Sequence, residues 1–259
     1  MATPKVLIAI PSYRCEKQIT RVLDEIDDKL ANRVAEIAVI DNGSPDKTVE
    51  TALAYKKKGR LKNLHVYRNK ANYNLGGTHK VAFLRAKKLG LTHVLIIHGD
   101  NQAKSDEAHR FLDYAEQHPE TQTLLGSRFN KKSVLQGYDW KRIAGNRALN
   151  IAYTALTFRW CEDLGSGLNL FALKDLDQRT YLEFADKLTF NFELLLDLIT
   201  RKVKFAYIPI TWREEDQVSN ARNFNIGKTA GLNLLKWRFG GFKYKQTHTP
   251  KDYQCEEVL

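Results

Sequence analysis

The residues best suited to chemistry follow apolar runs. Val94 to Ile97 reads as a buried strand, and it stops at His98-Gly99-Asp100-Asn101-Gln102, a cluster of oxygen and nitrogen donors. Asp100 and Gln102 offer oxygens to a hard divalent cation, Mg or Mn. His98 offers an imidazole to such an ion, or is a strand-end histidine satisfied by backbone. A second apolar run, Glu36 to Ile40, ends at Asp41, which can accept hydrogen bonds from a ligand without a metal or cap a turn. Gly76-Gly77 opens a helix, where bare backbone allows a close approach and N–H groups suit anionic oxygens; a simple turn is the alternative. Arg128 follows a further run, Gln122 to Gly126, and its planar fork suits a phosphate or a salt bridge. Asp163 lies in the polar turn Glu162 to Gly167, as a general base or a loop cap. Arg213, Ser219 and Arg222 add two guanidinium groups and a hydroxyl near the C-terminal third, a set suited to charge-assisted bonds with phosphate.

These positions need a frame. Val6 to Ile10 predicts a first strand ending at Pro11-Ser12-Tyr13-Arg14. Ile19, Val22, Leu23, Ile26 and Leu30 share one face of a following helix. Glu36 to Ile40 and Leu64 to Tyr67 predict the next strands. Helices bearing Val49, Ala52 and Leu53, then Val81, Ala82, Leu84 and Leu89, follow them. Strand, loop and helix recur four times through residue 108, which predicts an α/β, doubly wound, mostly parallel sheet flanked by helices. Such sheets bind ligands outside the carboxyl ends of their strands, so Asp41 and Asp100 are expected in one crevice. Farther on, the spacing predicts a helix from Leu149 to Trp160 that is apolar on most faces, buried or else touching something apolar, a helix from Thr189 to Thr200 and one strand from Val203 to Trp212. Residues 1–225 form the expected catalytic domain, and 226–259 a basic amphipathic helix and tail.

A chain of 259 residues, 43% apolar, suffices for one large domain. No apolar run is long enough to span a bilayer, and the start of the chain does not read as a signal peptide. Cys15, Cys161 and Cys255 are scattered and lack zinc spacing, which points to a reducing compartment, the cytoplasm. The formal charge of +11 points to an anionic partner or a solubility surface. From Arg201 to Lys251, Lys and Arg outnumber acids eleven to three. Trp237 and several leucines are interleaved with these charges, as in a helix lying on an anionic membrane or docked on the domain with a basic outer face.

Ile8-Ala9-Ile10-Pro11-Ser12-Tyr13, Ile37 to Asp46, Asn74-Leu75-Gly76-Gly77, Gly99 to Gln102, Gly126-Ser127-Arg128, Asp163 to Gly167 and Ile208 to Arg213 occur in an order that resembles the family 2 glycosyltransferases of the GT-A fold. The resemblance covers roughly residues 5–225. Within the family it is nearest to enzymes of the dolichol-phosphate mannose synthase and polyprenyl-phosphate glycosyltransferase type. It implies that Pro11, Ser12, Tyr13 and Asp41 hold a base and ribose, and that Gly76, Gly77, His98, Gly99, Asp100 and Glu193 complete a nucleotide-sugar site. It implies Mg or Mn at Asp100 and Gln102. His98 replaces the first Asp of the Asp-x-Asp motif, so it either ligates the ion or bonds a ribose or phosphate oxygen. Arg128 and Arg213 are then expected to act on the departing diphosphate, with Arg147, Ser219 and Arg222 on the acceptor or phosphate side.

The implied reaction is inverting transfer from a nucleotide diphosphate sugar to a polyprenyl phosphate, by an enzyme peripheral to the inner face of the cytoplasmic membrane. The alternative acceptor is a hydroxyl of a glycan or lipid-linked oligosaccharide, with Asp163 as base. A basic nucleic-acid-binding module is the rival from another class. The chain carries no aromatic RNA-binding motif or zinc pattern to support it, so no nucleic-acid partner is expected. A nucleotidyltransferase would need a basic glycine-rich loop after the first strand, and Pro11-Ser12-Tyr13-Arg14 is not one.

Overall fold

The computed structural model describes residues 4–216, 223–240 and 249–259. In chain order the elements are β1 (Val6–Ser12), α1 (Ile19–Asp24), α2 (Asp28–Asn32), β2 (Glu36–Asp41), α3 (Thr48–Lys57), β3 (Leu64–Asn69), α4 (Asn74–Lys88), β4 (His93–Ile97) and α5 (Ala108–Gln117). There follow β5 (Thr123–Ser127), β6 (Val134–Gln136), α6 (Trp140–Thr157), β7 (Leu168–Ala172), α7 (Gln178–Leu182), α8 (Phe190–Thr200), β8 (Phe205–Pro209), β9 (Thr211–Arg213), α9 (Asn223–Gly240) and β10 (Cys255–Glu257).

The main sheet runs β10-β3-β2-β1-β4-β7-β5-β8. β1 pairs in parallel with β2 and β4, β2 with β3, and β5 with β8; β7 and β10 run antiparallel to their neighbours. The central strands are buried on both faces, and the pleat divides their side chains between two helical layers. Val6, Ile8 and Ile10 face the layer of α1, α3 and α5, with Val22 and Phe111. Leu7 and Ala9 face the layer of α4 and α8, with Phe83 and Phe190. This is the expected doubly wound, mostly parallel α/β architecture.

Several elements differ from their sequence pattern. The single helix expected through Leu30 breaks into α1 and α2. The Asp27 carboxylate accepts from Leu30 N–H at 2.7 Å and starts a new helix, while Ile19, Val22, Leu23, Ile26 and Leu30 all stay buried. The strand expected from Val203 to Trp212 is two strands in different sheets, because after Pro209 the chain leaves β5 and β9 pairs with β6. Helix α6 is only half-buried: Tyr153 is buried in the core and Leu149, Ala152 and Leu156 pack against it, whereas Ile151 is 69% exposed and Phe158 and Trp160, which follow the helix, are 85% and 68% exposed. Its apolar composition therefore serves one face packed on the core and one open face. Leu89, expected on a core stripe, is also exposed.

Helix α9 docks on the domain. Ala230 and Leu234 are buried, the Tyr153 hydroxyl donates to Ala230 C=O at 3.0 Å, and Trp237 Nε1 donates to Thr200 Oγ1 at 2.8 Å. β10 then adds a strand to the far edge of the sheet, so the tail contributes to the same fold.

Candidate functional site

Sheet register alone assembles one edge. Ser12 pairs with Asp41, and Asp41 with Arg68. The β1–β4 register carries Ser12 on to Gly99, whose N–H donates to Pro11 C=O at 3.0 Å. His98 N–H donates to Gly167 C=O at 2.9 Å, which brings the start of β7 alongside. The β5–β7 pairing then sets Ser127 and Arg128 next to Ser166 and Gly167. Residues 11–13, 41–44, 98–102, 127–128 and 163–167 thus line one crevice at the carboxyl ends of the parallel strands, where the topology demands a ligand site. Gly99 is needed there because a Cβ would lie 2.3 Å from Ser12 Oγ.

At the β1–β2 end, Pro11 and Ser12 are buried, Tyr13 is half-buried and Arg14 is exposed. The Asp41 carboxylate is fully buried. It accepts from Gly43 N–H at 3.1 Å and Ser44 N–H at 3.1 Å, and Arg68 Nε approaches at 3.4 Å. Asp41 therefore shapes the turn, and Tyr13, Arg14 and Arg68 present the more accessible atoms. Arg68 was not singled out from the sequence; its signal is a guanidinium in register with Asp41 at a strand end.

Gly76 and Gly77 do not offer their N–H groups to a ligand. Both donate to Asp186 C=O, at 2.7 and 3.2 Å. A Cβ on Gly76 would stand 2.5 Å from Phe190 Cβ, so the glycine is required by packing of α4 against the start of α8. Beside it Lys80, with no exposed surface, donates to Asp186 Oδ1 at 2.8 Å and to the Tyr253 hydroxyl at 3.0 Å.

His98 continues the inward alternation of Val94 and Ile96. Its Nε2 lies 3.4 Å from Nε2 of His79, a wholly buried residue of α4. Burial pushes the pKa of His98 down and that of His79 well down, so both rings are neutral at neutral pH. The Nε2 atom of His98 is thus turned toward α4, while its Nδ1 lies on the Gly167 side.

Asp100 is half-buried at the strand end, and its Oδ1 accepts from Gln102 N–H at 3.2 Å. Among the described residues no group of three or more His, Cys, Asp or Glu converges on a point where a metal could sit. Asp100 and Gln102, the donors expected from the sequence, are both half-buried at this loop and would offer one carboxylate and one amide oxygen. That set fits Mg or Mn, which bind through one or two carboxylates and complete their shell with substrate phosphates and water.

At the other end of the crevice Arg128 and Asp163 meet in a buried ion pair. Arg128 Nε donates to Asp163 Oδ2 at 2.7 Å, and Nη2 to Oδ1 at 2.8 Å. Asp163 also accepts from Arg128 N–H at 3.0 Å and Gly165 N–H at 3.1 Å. Burial opposes the charge on Arg128, but Asp163 outweighs it and holds its pKa above the ordinary value. Two assignments change. Both oxygens of Asp163, 2% exposed, are occupied, so neither is open to take a proton from a hydroxyl. The Arg128 fork is closed on Asp163, with the rest of its guanidinium held by Gly165 C=O and the Tyr138 hydroxyl.

Arg213 is likewise engaged, with Glu25 and Asn101. Glu193 is buried rather than solvated. It accepts from Ala185 N–H at 2.8 Å, and burial raises its pKa. It is Asn191, unnoticed in the sequence, that lines a small cavity with Asp163, Gly165, Ser166 and Asn169. Arg147 is exposed on α6. Ser219 and Arg222 lie outside the described residues.

Comparison with known proteins agrees with this geometry. The family model "Glycosyl transferase family 2" matches residues 7–171. A dolichyl-phosphate beta-glucosyltransferase of Drosophila melanogaster is 23% identical over 227 residues, covering 81% of this chain and 67% of that protein. Among solved structures, glucosyl-3-phosphoglycerate synthase of Mycobacterium tuberculosis, in complex with Mn2+, UDP-glucose and glycerol 3-phosphate, superposes with a TM-score of 0.65 at 18% identity, over 92% of this chain and 80% of that one. S. aureus TarS in complex with UDP-GlcNAc superposes with a TM-score of 0.58 at 17% identity, over 89% of this chain and 66% of that one, just under two thirds of its length. The sheet order, the crevice at its carboxyl edge and the family match over most of that sheet together establish that the chain belongs to glycosyl transferase family 2 and is a nucleotide-sugar glycosyltransferase of the GT-A fold.

Proposed function

We propose that the enzyme transfers a sugar, with inversion, from a nucleotide diphosphate sugar to a polyprenyl phosphate at the inner face of the cytoplasmic membrane. The observation that carries this reading is the closed Arg128–Asp163 pair. A sugar hydroxyl is a poor nucleophile at neutral pH and needs a general base. Asp163, the carboxylate placed to serve as one, has both oxygens occupied. A phosphate acceptor arrives already anionic and needs no base. The Drosophila relative, a dolichyl-phosphate beta-glucosyltransferase, carries an acceptor of this class in its name.

The donor's base and ribose sit against Tyr13 and the Asp41 turn, and its diphosphate reaches Asp100 and Gln102. A bound Mg or Mn supplies positive charge to the departing diphosphate at these two residues. Their task is to hold that charge in place before reaction, since preorganised electrostatics usually gives the largest share of such catalysis. The acceptor oxygen attacks the anomeric carbon from the side opposite the diphosphate. Arg147, exposed on α6, together with Ser219 and Arg222, is assigned to the acceptor phosphate.

Support for membrane contact comes from the outer surface of α6, the residues just after it, and α9. Ile151, Phe158, Trp160, Leu232, Leu235 and Phe239 are exposed there, and Arg159, Lys236 and Arg238 are exposed among them. Apolar residues ringed by Lys and Arg suit an anionic bilayer. None of the described helices is long and apolar enough to cross a membrane.

The test is release of nucleotide diphosphate from a panel of nucleotide sugars, with and without polyprenyl phosphate, in Mg or Mn. Release that requires the lipid phosphate is expected. Release with a glycan hydroxyl acceptor and none with lipid phosphate would overturn the acceptor assignment.

A further inference from the structure

The break between α1 and α2 leaves Glu25 at the C-terminal cap of α1, with its side chain beneath the Asp100 loop. Its Oε2 accepts from Ser105 N–H at 2.8 Å, and its Oε1 accepts from Arg213 Nη1 at 2.6 Å. Arg213, 9% exposed, continues the chain of contacts: Nη2 donates to Asn101 Oδ1 at 2.9 Å, and its backbone N–H donates to Gln102 C=O at 2.8 Å. Ala103 bridges to Trp212 in the same stretch. Farther along, Glu107 accepts from the Thr211 backbone N–H and hydroxyl, each at 2.8 Å. The segment from Asn101 to Glu107 is thus tied on one side to α1 and on the other to β9. Asn101 itself has a φ of +60°, a left-handed conformation that a non-glycine residue keeps only where its surroundings hold it.

We propose that Glu25 and Arg213 form a positioning clamp that sets Asp100 and Gln102 for the divalent cation and diphosphate, an inference that rests on the donor-site reading above. Neither residue touches the ligand. Arg213 cannot serve as a free phosphate clamp while its fork is closed on Glu25 and Asn101. What the pair supplies is a loop ordered before binding, so that little of the binding free energy goes into ordering it. Residues that orient metal ligands from outside typically change metal affinity 10- to 100-fold when replaced. Removing Glu25 leaves Ser105 N–H without its acceptor and releases Arg213 from the loop at the same time. The nucleoside end of the site, at Tyr13 and the Asp41 turn, makes no contact with the pair. The clamp therefore acts on metal-dependent affinity and leaves metal-free nucleotide affinity alone.

The experiment measures calorimetric affinities for UDP and GDP, each with Mn2+ and with EDTA, on wild type, Glu25→Gln, Arg213→Lys and Asn101→Gly. The last variant tolerates the left-handed backbone and removes only the link to Arg213. Mn2+ electron paramagnetic resonance counts the bound ion, and thermal melts verify folding. Wild type is expected to bind one nucleotide more tightly with Mn2+. Glu25→Gln and Arg213→Lys are expected to lose that gain by about 10- to 100-fold, and Asn101→Gly by less, with affinity in EDTA unchanged in all three. A wild-type Mn2+ gain in folded Glu25→Gln overturns the clamp while the donor-site reading stands. An equal loss with and without Mn2+ also overturns it, since that marks general disruption. Wild type that shows no Mn2+ gain removes the donor-site reading and the clamp with it.

Discussion

At the β1–β2 end of the crevice, Asp41 is held by N–H groups two and three residues along its own chain. At the β5–β7 end, Asp163 is held by a guanidinium 35 residues away. Both carboxylates follow the same rule: a buried charge must be paired or fully hydrogen-bonded. They follow it by different routes. The local route builds a turn that survives small shifts of the sheet. The long-range route joins two strands and forms only when both are in place. The first end is thus a preformed cradle, and the second is a junction whose integrity depends on the whole fold.

The sharpest way to break this contrast is to open the junction. Arg128→Ala strands Asp163 in a buried site and should cost about 3–5 kcal/mol of stability, read as a shift of the urea midpoint. A cost below about 1 kcal/mol, the range of surface pairs, would show that the pair is solvated and the two ends alike. Next in size is Asp100→Ala. Loss of one preorganised group at the leaving diphosphate should lower kcat about 100- to 1000-fold, with the melting temperature preserved. Full activity of that variant, or of wild type in chelator, would remove the cation from the donor end.

A smaller effect is expected at Gly76→Ala. Its methyl would stand 2.5 Å from Phe190 Cβ, an overpacking that costs about 1–3 kcal/mol, with nucleotide affinity unchanged. Loss of nucleotide binding at full stability would return Gly76 to the ligand site. Smallest is Lys236→Ala on α9. Each basic residue near an anionic bilayer contributes about 1 kcal/mol, so affinity for phosphatidylglycerol-containing vesicles should fall about fivefold. No change would count against α9 as a membrane-contacting surface.

Much of the edge formed by β1, β2 and β4 was legible in the sequence. Four strand–loop–helix units, each strand ending in polar residues, place Asp41, Gly99 and Asp100 on one edge through register alone. The β5–β7 end was less so. Nothing local to Arg128 or Asp163 says that they pair. The spacing of Leu149 to Trp160 reads as a buried helix, because apolar composition does not state whether a partner covers it. His98 has the same ambiguity: alternation from Val94 and Ile96 turns it inward, but its partner His79 lies on another element. Glu25 carries no signal at all, since its role depends on a helix break and on two loops distant in sequence.

The sequence by itself determined the periodicities, and with them the doubly wound sheet and the edge where chemistry must lie, because hydrophobic pattern and turn residues act over a few neighbours. Tertiary structure decided which charges are available at that edge. A carboxylate or guanidinium is open or closed according to what packs against it. In this chain Asp163, Arg128 and Arg213 are closed by partners that only the folded sheet brings within reach.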